Sequence, residues 1–390
     1  MKKIAFIPLL TVIFSLKVFS ADFSELDKII SEGISKNYFP GAQLLIGNEN
    51  YILYSKSYGN FTYDESSPVV TDESIFDIAS LTKVIATTTA IMILYQDGKI
   101  DLNAKVAGYI PEFANNGKEE ITVMNLLLHN SGLTAFIPFY KYYSSREEVI
   151  NAIYNAVPEY GINSKFVYSD LNAIILGFIV EKVSGKSLND FCHENIFYPL
   201  KMNSTEFFPD EKLKEKILPT EYDNYWRNRQ LQGEVHDESA SILGGAAGNA
   251  GLFSNAEDLY KFMKMMLNNG KYYNAYTRGL REESMFSPET VSLFTVRFSD
   301  LQYPNSRALG WDTKPDVTQS KFRIPCGELI SDNCFGHTGY TGTSVWCDKE
   351  RKIIVIFLTN RIYPSRDNDG IRKIRPEIHN AAIEIVAGQN

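Results

Sequence analysis

Cysteine and histidine are scarce in this sequence. Its 390 residues include four cysteines and five histidines, and the cysteines lack the close paired spacing of a structural zinc site. His129 and the stretch His236-Asp237-Glu238 remain as metal candidates, but no His-x-x-x-His pattern on a helix supports them. Adjacent residues of an extended loop also point in different directions. The sequence therefore predicts no metal site.

An excess of positive charge is also absent. The net charge of −8 and the pI near 5.4 argue against a nucleic-acid-binding surface. Basic residues recur between Arg361 and Arg375, but they are interspersed with other residue types and predict a solvated face. The segment Gly244–Gly251 lacks the lysine of a phosphate-binding loop and the spacing of a dinucleotide fold. It predicts a tight loop lining a cleft, so we expect no nucleic-acid partner and no cofactor.

The sequence has no hydrophobic run long enough to cross a membrane in the mature chain. Lys2-Lys3 precede an apolar run from Ile4 to Leu16, and small residues follow where a signal peptidase would cut after Ser20. About 13 apolar residues fall short of the roughly 20 that a spanning helix needs. Residues 1–20 thus predict a cleaved secretory signal, with an uncleaved anchor as the alternative, and a periplasmic or extracellular protein of undetermined oligomeric state.

Export would permit disulfide bonds. Cys326 and Cys334 flank a short polar loop that a disulfide could close, whereas Cys192 and Cys347 have no evident partners. The sequence leaves both alternatives open for the first pair, a disulfide or two free thiols.

The composition is that of an ordinary globular protein, with 44% hydrophobic and 22% charged residues. Residue spacing predicts strands near both ends of the chain and helices in the middle. The predicted strands are Ala42–Ile46, Tyr51–Tyr58, Ala308–Trp311, Thr343–Cys347 and Ile353–Leu358, and the predicted helices include Phe23–Ser35, Ile121–Leu128, Ser169–Val183, Leu188–Phe197, Ala256–Leu267 and Pro376–Val386.

This order of elements predicts an α/β fold of the α+β type. We expect an antiparallel sheet built from N- and C-terminal segments, with helices on its faces and a mostly helical inserted subdomain. The predicted division is an α/β subdomain of residues 21–105 and 295–390, and a mainly helical subdomain of residues 106–294. Together they form one catalytic domain over residues 21–390.

The segment Phe76–Lys83 places a serine and a lysine three positions apart where an apolar helix is predicted to begin. Free backbone N–H groups and the helix dipole favour negative charge on the first turn, where Ser80 lies. Lys83 follows one turn later on the same face. A lysine whose pKa is lowered by its environment can accept a serine proton. The pair is therefore a candidate nucleophile and base, although a helix cap followed by a surface lysine would give the same pattern.

Two further stretches are compatible with this chemistry. Tyr168-Ser169-Asp170 stands at the start of a strongly apolar helix, where a short loop could present a phenol to a cleft. Gly336–Gly342, with His337, Thr338 and Gly339, precedes a predicted strand, and its glycines allow the backbone to run close to a ligand.

Ser80-x-x-Lys83, Tyr168-x-Asp170 and His337-Thr338-Gly339 resemble, in this order, the three motifs of the penicillin-binding protein and serine β-lactamase superfamily. The resemblance is greatest to the class C-like branch of D-alanyl-D-alanine carboxypeptidases, class C β-lactamases and related esterases. It extends over nearly the whole mature chain and implies a β-lactamase/transpeptidase-like fold.

The resemblance implies a role for each matching residue. Ser80 would be the acylated nucleophile, Lys83 its proton acceptor, and Tyr168 a second acid/base group whose phenolate the lysine ammonium favours. The backbone N–H groups of Ser80 and Tyr340 would form the oxyanion hole.

Asp170, His337, Thr338 and Gly339 would bind substrate. Two of these positions depart from the common pattern. The position of Asp170 often is asparagine, which both donates and accepts hydrogen bonds, whereas an ionised aspartate only accepts them. The position of His337 often is lysine, whereas a histidine is mainly neutral at pH 7 unless a nearby anion holds its proton. We expect His337 to contact the anionic end of the substrate, with a pH dependence if it does so through charge.

The predicted function is that of an exported serine hydrolase with an acyl-enzyme intermediate, of the D-alanyl-D-alanine carboxypeptidase type, acting on peptidoglycan stem peptides. An esterase or a weak β-lactamase acting on a small ester or amide is the enzymatic alternative. A slowly deacylating penicillin-binding sensor is the alternative without efficient turnover.

Overall fold

The computed structural model describes residues 21–274, 281–299, 301, 303, 305–315 and 324–388. The predicted signal, residues 1–20, lies outside the described residues. The α-helices are α1 Ser24–Ser35, α2 Thr89–Gln96, α3 Val106–Tyr109, α4 Val123–Leu127, α5 Arg146–Asn155, α6 Asp170–Ser184, α7 Leu188–Cys192, α8 Glu238–Ile242, α9 Ala256–Leu267, α10 Pro288–Thr295 and α11 Ile371–Ala387. In the described part of the chain, no helix combines the length and the apolar character that crossing a membrane requires.

Short helical segments complete the set. They are the 3-10 helices Ala79–Leu81, Pro111–Phe113, Phe139–Lys141 and Glu211–Lys216 and the π-helices Lys83–Thr88 and His193–Phe197. The strands are β1 Gly41–Gly47, β2 Ile52–Gly59, β3 Phe76–Asp77, β4 Tyr222–Asp223, β5 Arg229–Gln230, β6 Phe253–Ser254, β7 Lys271–Asn274, β8 Arg281–Ser284, β9 Cys334–Thr338, β10 Ser344–Asp348 and β11 Ile353–Thr359.

A five-stranded antiparallel sheet forms the centre of the fold, with the strand order β2-β1-β11-β10-β9. Two of its strands come from the N-terminal part of the chain and three from the C-terminal part, which confirms the predicted mixed fold. The small antiparallel pairs β3–β6, β4–β5 and β7–β8 lie outside it.

Both faces of the sheet are covered, which explains why β11 is apolar at nearly every position. Alternate side chains point to opposite faces. Leu44, Ile46 and Phe357 pack with α1 and α11, while Ile354 and Ile356 belong to the larger core on the other face. Every residue of β1 and β11 is buried.

Helix α9 covers that second face, since Tyr260 packs on Gly47 and the Ala256 N–H donates to the Gln43 side chain. Helix α9 lies within residues 106–294, the predicted helical subdomain, yet it packs on the sheet. The two-part division of the domain stays a prediction.

Two predicted elements differ from the structure. Ala308–Trp311 is not a strand but a tight turn, closed by an Ala308 N–H bond to the Trp311 carbonyl of 2.9 Å, with Gly310 at φ 83°. Helix α11 begins at Ile371, before Pro376, because burial of Ile371 and Ile374 against α1 and the sheet holds a turn that lacks one backbone bond.

Cys326 and Cys334 are free thiols in this structure. They share a small buried cluster with Trp346, and burial raises the pKa of both. The sequence left open a disulfide or two free thiols, and the structure has two free thiols.

Candidate active site

The turn that carries Ser80 is held by a buried carboxylate. Ala79, just before the serine, has φ 47°, a left-handed conformation that costs energy for a residue with a side chain. Asp77 stabilises this turn, because one carboxylate oxygen accepts the Ala79 N–H at 2.8 Å and the other accepts the His236 N–H at 2.8 Å. Burial raises the pKa of Asp77. Ser80 therefore lies on a single 3-10 turn that precedes a π-helix, not on the first turn of a regular α-helix.

Lys83 is buried directly beneath Ser80, with only 3% of its surface exposed. Its ammonium group has three partners: Ser80 Oγ at 2.9 Å, the Asn249 carbonyl oxygen at 2.9 Å and Asp170 Oδ1 at 2.7 Å. The structure therefore brings the predicted nucleophile and base into contact. It also joins Asp170 to the lysine, whereas the sequence predicted only a substrate contact for that residue.

The protonation of Lys83 and Tyr168 differs from what the sequence suggested. Burial by itself lowers the pKa of Lys83, but the nearby Asp170 and Tyr168 outweigh it and hold this pKa above its usual value. Burial raises the pKa of Tyr168, and the lysine charge offsets this only in part. In the free protein the lysine is thus an ammonium and the tyrosine a neutral phenol, so the predicted phenolate is wrong for this state.

Tyr168 is positioned by His129. The two rings lie 4.8 Å apart between centroids, and His129 Nδ1 accepts the N–H of Ser169 at 3.1 Å. The Tyr168 hydroxyl is buried, lies near Ser80 and Lys83, and makes no hydrogen bond of ordinary geometry with the described residues. This leaves the phenol available to a group that enters the cleft.

The glycine-rich segment 244–251 packs behind Lys83, which accounts for its tight turns, whereas its predicted place in the cleft lining stays a prediction. Gly248 has to be glycine because a Cβ would collide with the Ala173 carbonyl of α6. This close approach lets the next residue, Asn249, point its carbonyl at Lys83 and its side-chain amide at Asp237 Oδ1, 3.1 Å away. Burial and the charge of Asp170 raise the pKa of Asp237 to about 6.

His337 lies at the end of β9, on the opposite side of the cleft from Lys83. Its Nδ1 is 2.8 Å from the Thr338 carbonyl oxygen, which can only accept, so we assign the proton to Nδ1. Nε2 then carries a lone pair, and it is buried without a partner among the described residues. Burial lowers the pKa of His337 to about 4, although Asp312 opposes the shift. The ring is therefore neutral at pH 7, and the contact of His337 with a substrate carboxylate stays a prediction.

The loop after β9 packs directly on the serine turn. Gly339 has no room for a Cβ, which would meet the Ile78 carbonyl and the Thr343 hydroxyl. The Thr341 hydroxyl donates to the Asp77 carbonyl at 2.7 Å, and the Arg361 side chain donates to the Tyr340 carbonyl at 2.8 Å. The Tyr340 N–H donates to no carbonyl of the described residues. This amide thus belongs to the same cleft as Ser80 and is free to donate.

Ser80 and the residues that face it line one cleft of about 330 Å³. Besides the predicted Ser80, Tyr168, His337, Thr338, Gly339 and Tyr340, its lining includes Asp312, Arg361, Ile371, Arg372 and Arg375.

The arginines are cleft residues that the sequence did not predict. Arg361 and Arg375 are each only 8% exposed, so the predicted solvated face is wrong for them. The spacing of Arg372 and Arg375, three residues apart on one helix face, was the available signal.

The residues considered for a metal site have other partners. His236 Nε2 lies 2.9 Å from Glu221 Oε2, and Arg366 binds the same carboxylate. Among the residues that the structure describes, no group of three or more His, Cys, Asp or Glu side chains could hold a metal ion.

A family model described as "Beta-lactamase" matches residues 26–377. The chain belongs to this family. It is 33% identical over 371 residues to a putative D-alanyl-D-alanine carboxypeptidase of Escherichia coli K12, covering 87% of this chain and 82% of that protein. It is also 33% identical over 370 residues to an N-acetylmuramyl-L-alanine amidase of Bacillus subtilis, covering 86% of this chain and 80% of the relative.

Solved structures show the same fold. A class C β-lactamase superposes with a TM-score of 0.71 at 18% identity, covering 92% of this chain and 97% of the other. The octameric penicillin-binding protein homologue of Pyrococcus abyssi gives 0.70 at 23% identity, covering 95% of this chain and 78% of its own. The protein is therefore a serine-based hydrolase of the β-lactamase and penicillin-binding protein superfamily.

Proposed function

We propose that this β-lactamase-family protein is an exported D-alanyl-D-alanine carboxypeptidase that acts on peptidoglycan stem peptides through an acyl-enzyme. The observation that carries the proposal is the positive charge beside Ser80. Arg361, Arg372 and Arg375 line the same cleft as the serine, and a peptide ending in D-alanine brings a carboxylate to it.

The arginines differ in how they can serve the substrate. Arg361 is engaged with backbone carbonyls, among them that of Tyr340. Arg375 donates to the Thr343 carbonyl at 3.3 Å, and its Nε is buried without a partner. Arg372 is exposed at the cleft. Arg375 and Arg372 can therefore donate charge-assisted hydrogen bonds to a substrate carboxylate. His337 is neutral and cannot provide the positive charge for this contact.

The proposed reaction assigns a task to each contact. Once the Lys83–Tyr168 pair has released one proton to solvent, Ser80 Oγ attacks the carbonyl of the penultimate D-alanine and its proton passes to that pair. The oxyanion is stabilised by the N–H groups of Ser80 and Tyr340. The C–N bond then breaks, the pair returns a proton to the leaving D-alanine, and water hydrolyses the ester on Ser80. His337, Thr338 and Gly339 hold the substrate from the strand side.

Two further observations support this choice. The name of the E. coli relative, a putative carboxypeptidase of 33% identity, agrees with a substrate ending in D-alanine. The N-terminal 20 residues have the pattern of a secretory signal, which would bring the protein to peptidoglycan. N-terminal sequencing of the exported protein should begin at Ala21.

The test compares a peptide ending in D-Ala-D-Ala with the same peptide carrying a C-terminal amide, alongside a short-chain ester and a chromogenic cephalosporin. We expect kcat/KM for the free acid to exceed that for the amide by about 10- to 100-fold, the range of a charge-assisted hydrogen bond. Arg372→Gln should lower the ratio of kcat/KM for the acid to kcat/KM for the amide. Lys373→Gln, an exposed change on the same helix, is the matched control and should leave it unchanged.

Equal rates for acid and amide would contradict carboxylate recognition. Preference for the ester or the cephalosporin would favour the esterase or β-lactamase alternative. Rapid acylation with slow release would identify a penicillin-binding sensor.

A further inference from the structure

Asp170 stands where a buried lysine needs a counter-charge. Its carboxylate lies 2.7 Å from Lys83 Nζ, and only 4% of the lysine side chain and 22% of the aspartate side chain are exposed. A buried ammonium without a carboxylate loses its proton readily, because burial disfavours the charged form. Asp170 therefore supplies the counter-charge of the buried lysine.

The hydrogen bonds of Lys83 show what one proton changes. Asp170 Oδ1 and the Asn249 carbonyl can only accept, so both require N–H groups of the lysine. The third partner is Ser80 Oγ at 2.9 Å. An ammonium donates to this oxygen, whereas a neutral amine presents its lone pair to the serine hydroxyl. Lys83 can thus keep the same three contacts in both protonation states. As an ammonium it cannot take the serine proton, and as a neutral amine it can.

We propose that Asp170 is a positioning residue that keeps Lys83 as an ammonium in the free enzyme, so that Lys83 accepts the Ser80 proton only after losing one of its own. This inference rests on the proposed roles of Ser80 and Lys83. The sequence predicted a substrate contact for Asp170. The role proposed here is instead to set the protonation state of Lys83.

Several other groups surround Lys83. Tyr168 lies beside the lysine, with Lys83 Nζ 5.1 Å from its ring centroid, and the pKa of this tyrosine is raised. The pKa of Asp237 is about 6 and that of His337 about 4, and burial keeps the pKa of His129 well below its usual value. Of these groups, only Lys83 and Tyr168 titrate above pH 7. Burial lowers the pKa of Arg375, at the far side of the cleft, to about 9, and that titration is common to the wild type and the Asp170 variants.

The experiment measures the rate at which a fluorophosphonate labels Ser80 between pH 6 and 10, with probe hydrolysis subtracted. In this reaction the Oγ–P bond forms, fluoride leaves with the electrons of the P–F bond, and the serine proton passes to neutral Lys83. The probe has no amide for Asp170 to orient, so the pH profile reports on the base alone.

In the wild type we expect the rate to rise about tenfold per pH unit and to continue rising at pH 9. Asp170→Asn should move this rise to lower pH by about one unit or more and make labelling at pH 7.5 about tenfold faster. Asp170→Glu, which keeps the carboxylate, should resemble the wild type. Asp170→Asn should displace the pH profile of the labelling rate by a similar amount when it is added to Tyr168→Phe. The displacement would then not depend on the Tyr168 hydroxyl.

Asp312→Asn is the matched control, because Asp312 lines the same cleft but pairs with Arg307. Its rise should stay at the wild-type pH. Near-UV circular dichroism checks that each variant is folded. If Asp170→Asn does not fold, Asp170→Ser, which also removes the carboxylate, takes its place with the same expected displacement.

An unmoved profile in folded Asp170→Asn, or an Asp170→Glu profile displaced as far as that of Asp170→Asn, would overturn the inference. Absence of labelling at Ser80 in the wild type would instead overturn the proposed nucleophile.

Discussion

The two walls of the cleft carry their charge in different ways. The helical wall, formed by Ser80, Lys83, Tyr168 and Asp170, contains one ammonium that is paired with one carboxylate. The strand wall, formed by residues 337–340 with Arg361, Arg372 and Arg375, contains a neutral histidine beside three arginines. Internal pairing suits a wall that moves protons, while unbalanced positive charge suits a wall that binds an anion. Charge on this strand wall comes from the arginines and not from His337.

The largest expected effect removes the nucleophile from the helical wall. Ser80→Ala should abolish covalent labelling by a fluorescent penicillin and lower turnover by roughly 10⁴–10⁶-fold, because no other group can form the acyl-enzyme. Intact-mass analysis with peptide mapping checks this. Label found on another serine, or retained by the variant, would show that the helical wall is misassigned.

The next effect tests whether the helical wall acts as one unit. Lys83→Ala and Tyr168→Phe should each lower kcat by roughly 10²–10⁴-fold, because both handle the proton of the same step. Their double variant should be little worse than the poorer single variant. Full additivity of the two losses, measured as free energies from kcat/KM, would mean that the residues work independently.

The smallest effect concerns the strand wall. The pKa of His337 is about 4, so its protonated form is lost as the pH rises through 4 and the ring is neutral above about pH 5. We therefore expect the ratio of kcat/KM for the acid and amide peptides to stay constant from pH 5.5 to 8. Titration of Asp237 near pH 6 affects both substrates and cancels in the ratio. If the ratio of kcat/KM for the acid and amide peptides falls between pH 6 and 7, His337 is the group that provides positive charge. The contrast drawn between the two walls would then be wrong.

Much of the fold was predictable from the sequence because its elements have strong local patterns. Helix α9 was predicted with the observed bounds, Ala256–Leu267, since its apolar residues recur at helical spacing. Strand β11 was readable from its continuous apolar run. Ala308–Trp311 has a similar composition, yet Gly310 at a positive φ and the bridge between Arg307 and Asp312 turn it into a loop.

The candidate site was predictable in its parts but not in its electrostatics. The spacing of Ser80 and Lys83 determined that they could meet, and the order of the three motifs determined the family. Only the tertiary structure decided that Asp170 pairs with Lys83, that His337 is neutral and that Arg361 and Arg375 face the cleft from beyond β11. The physical reason is that a pKa depends on burial and on charges from segments distant in the chain, which no local pattern of residues contains.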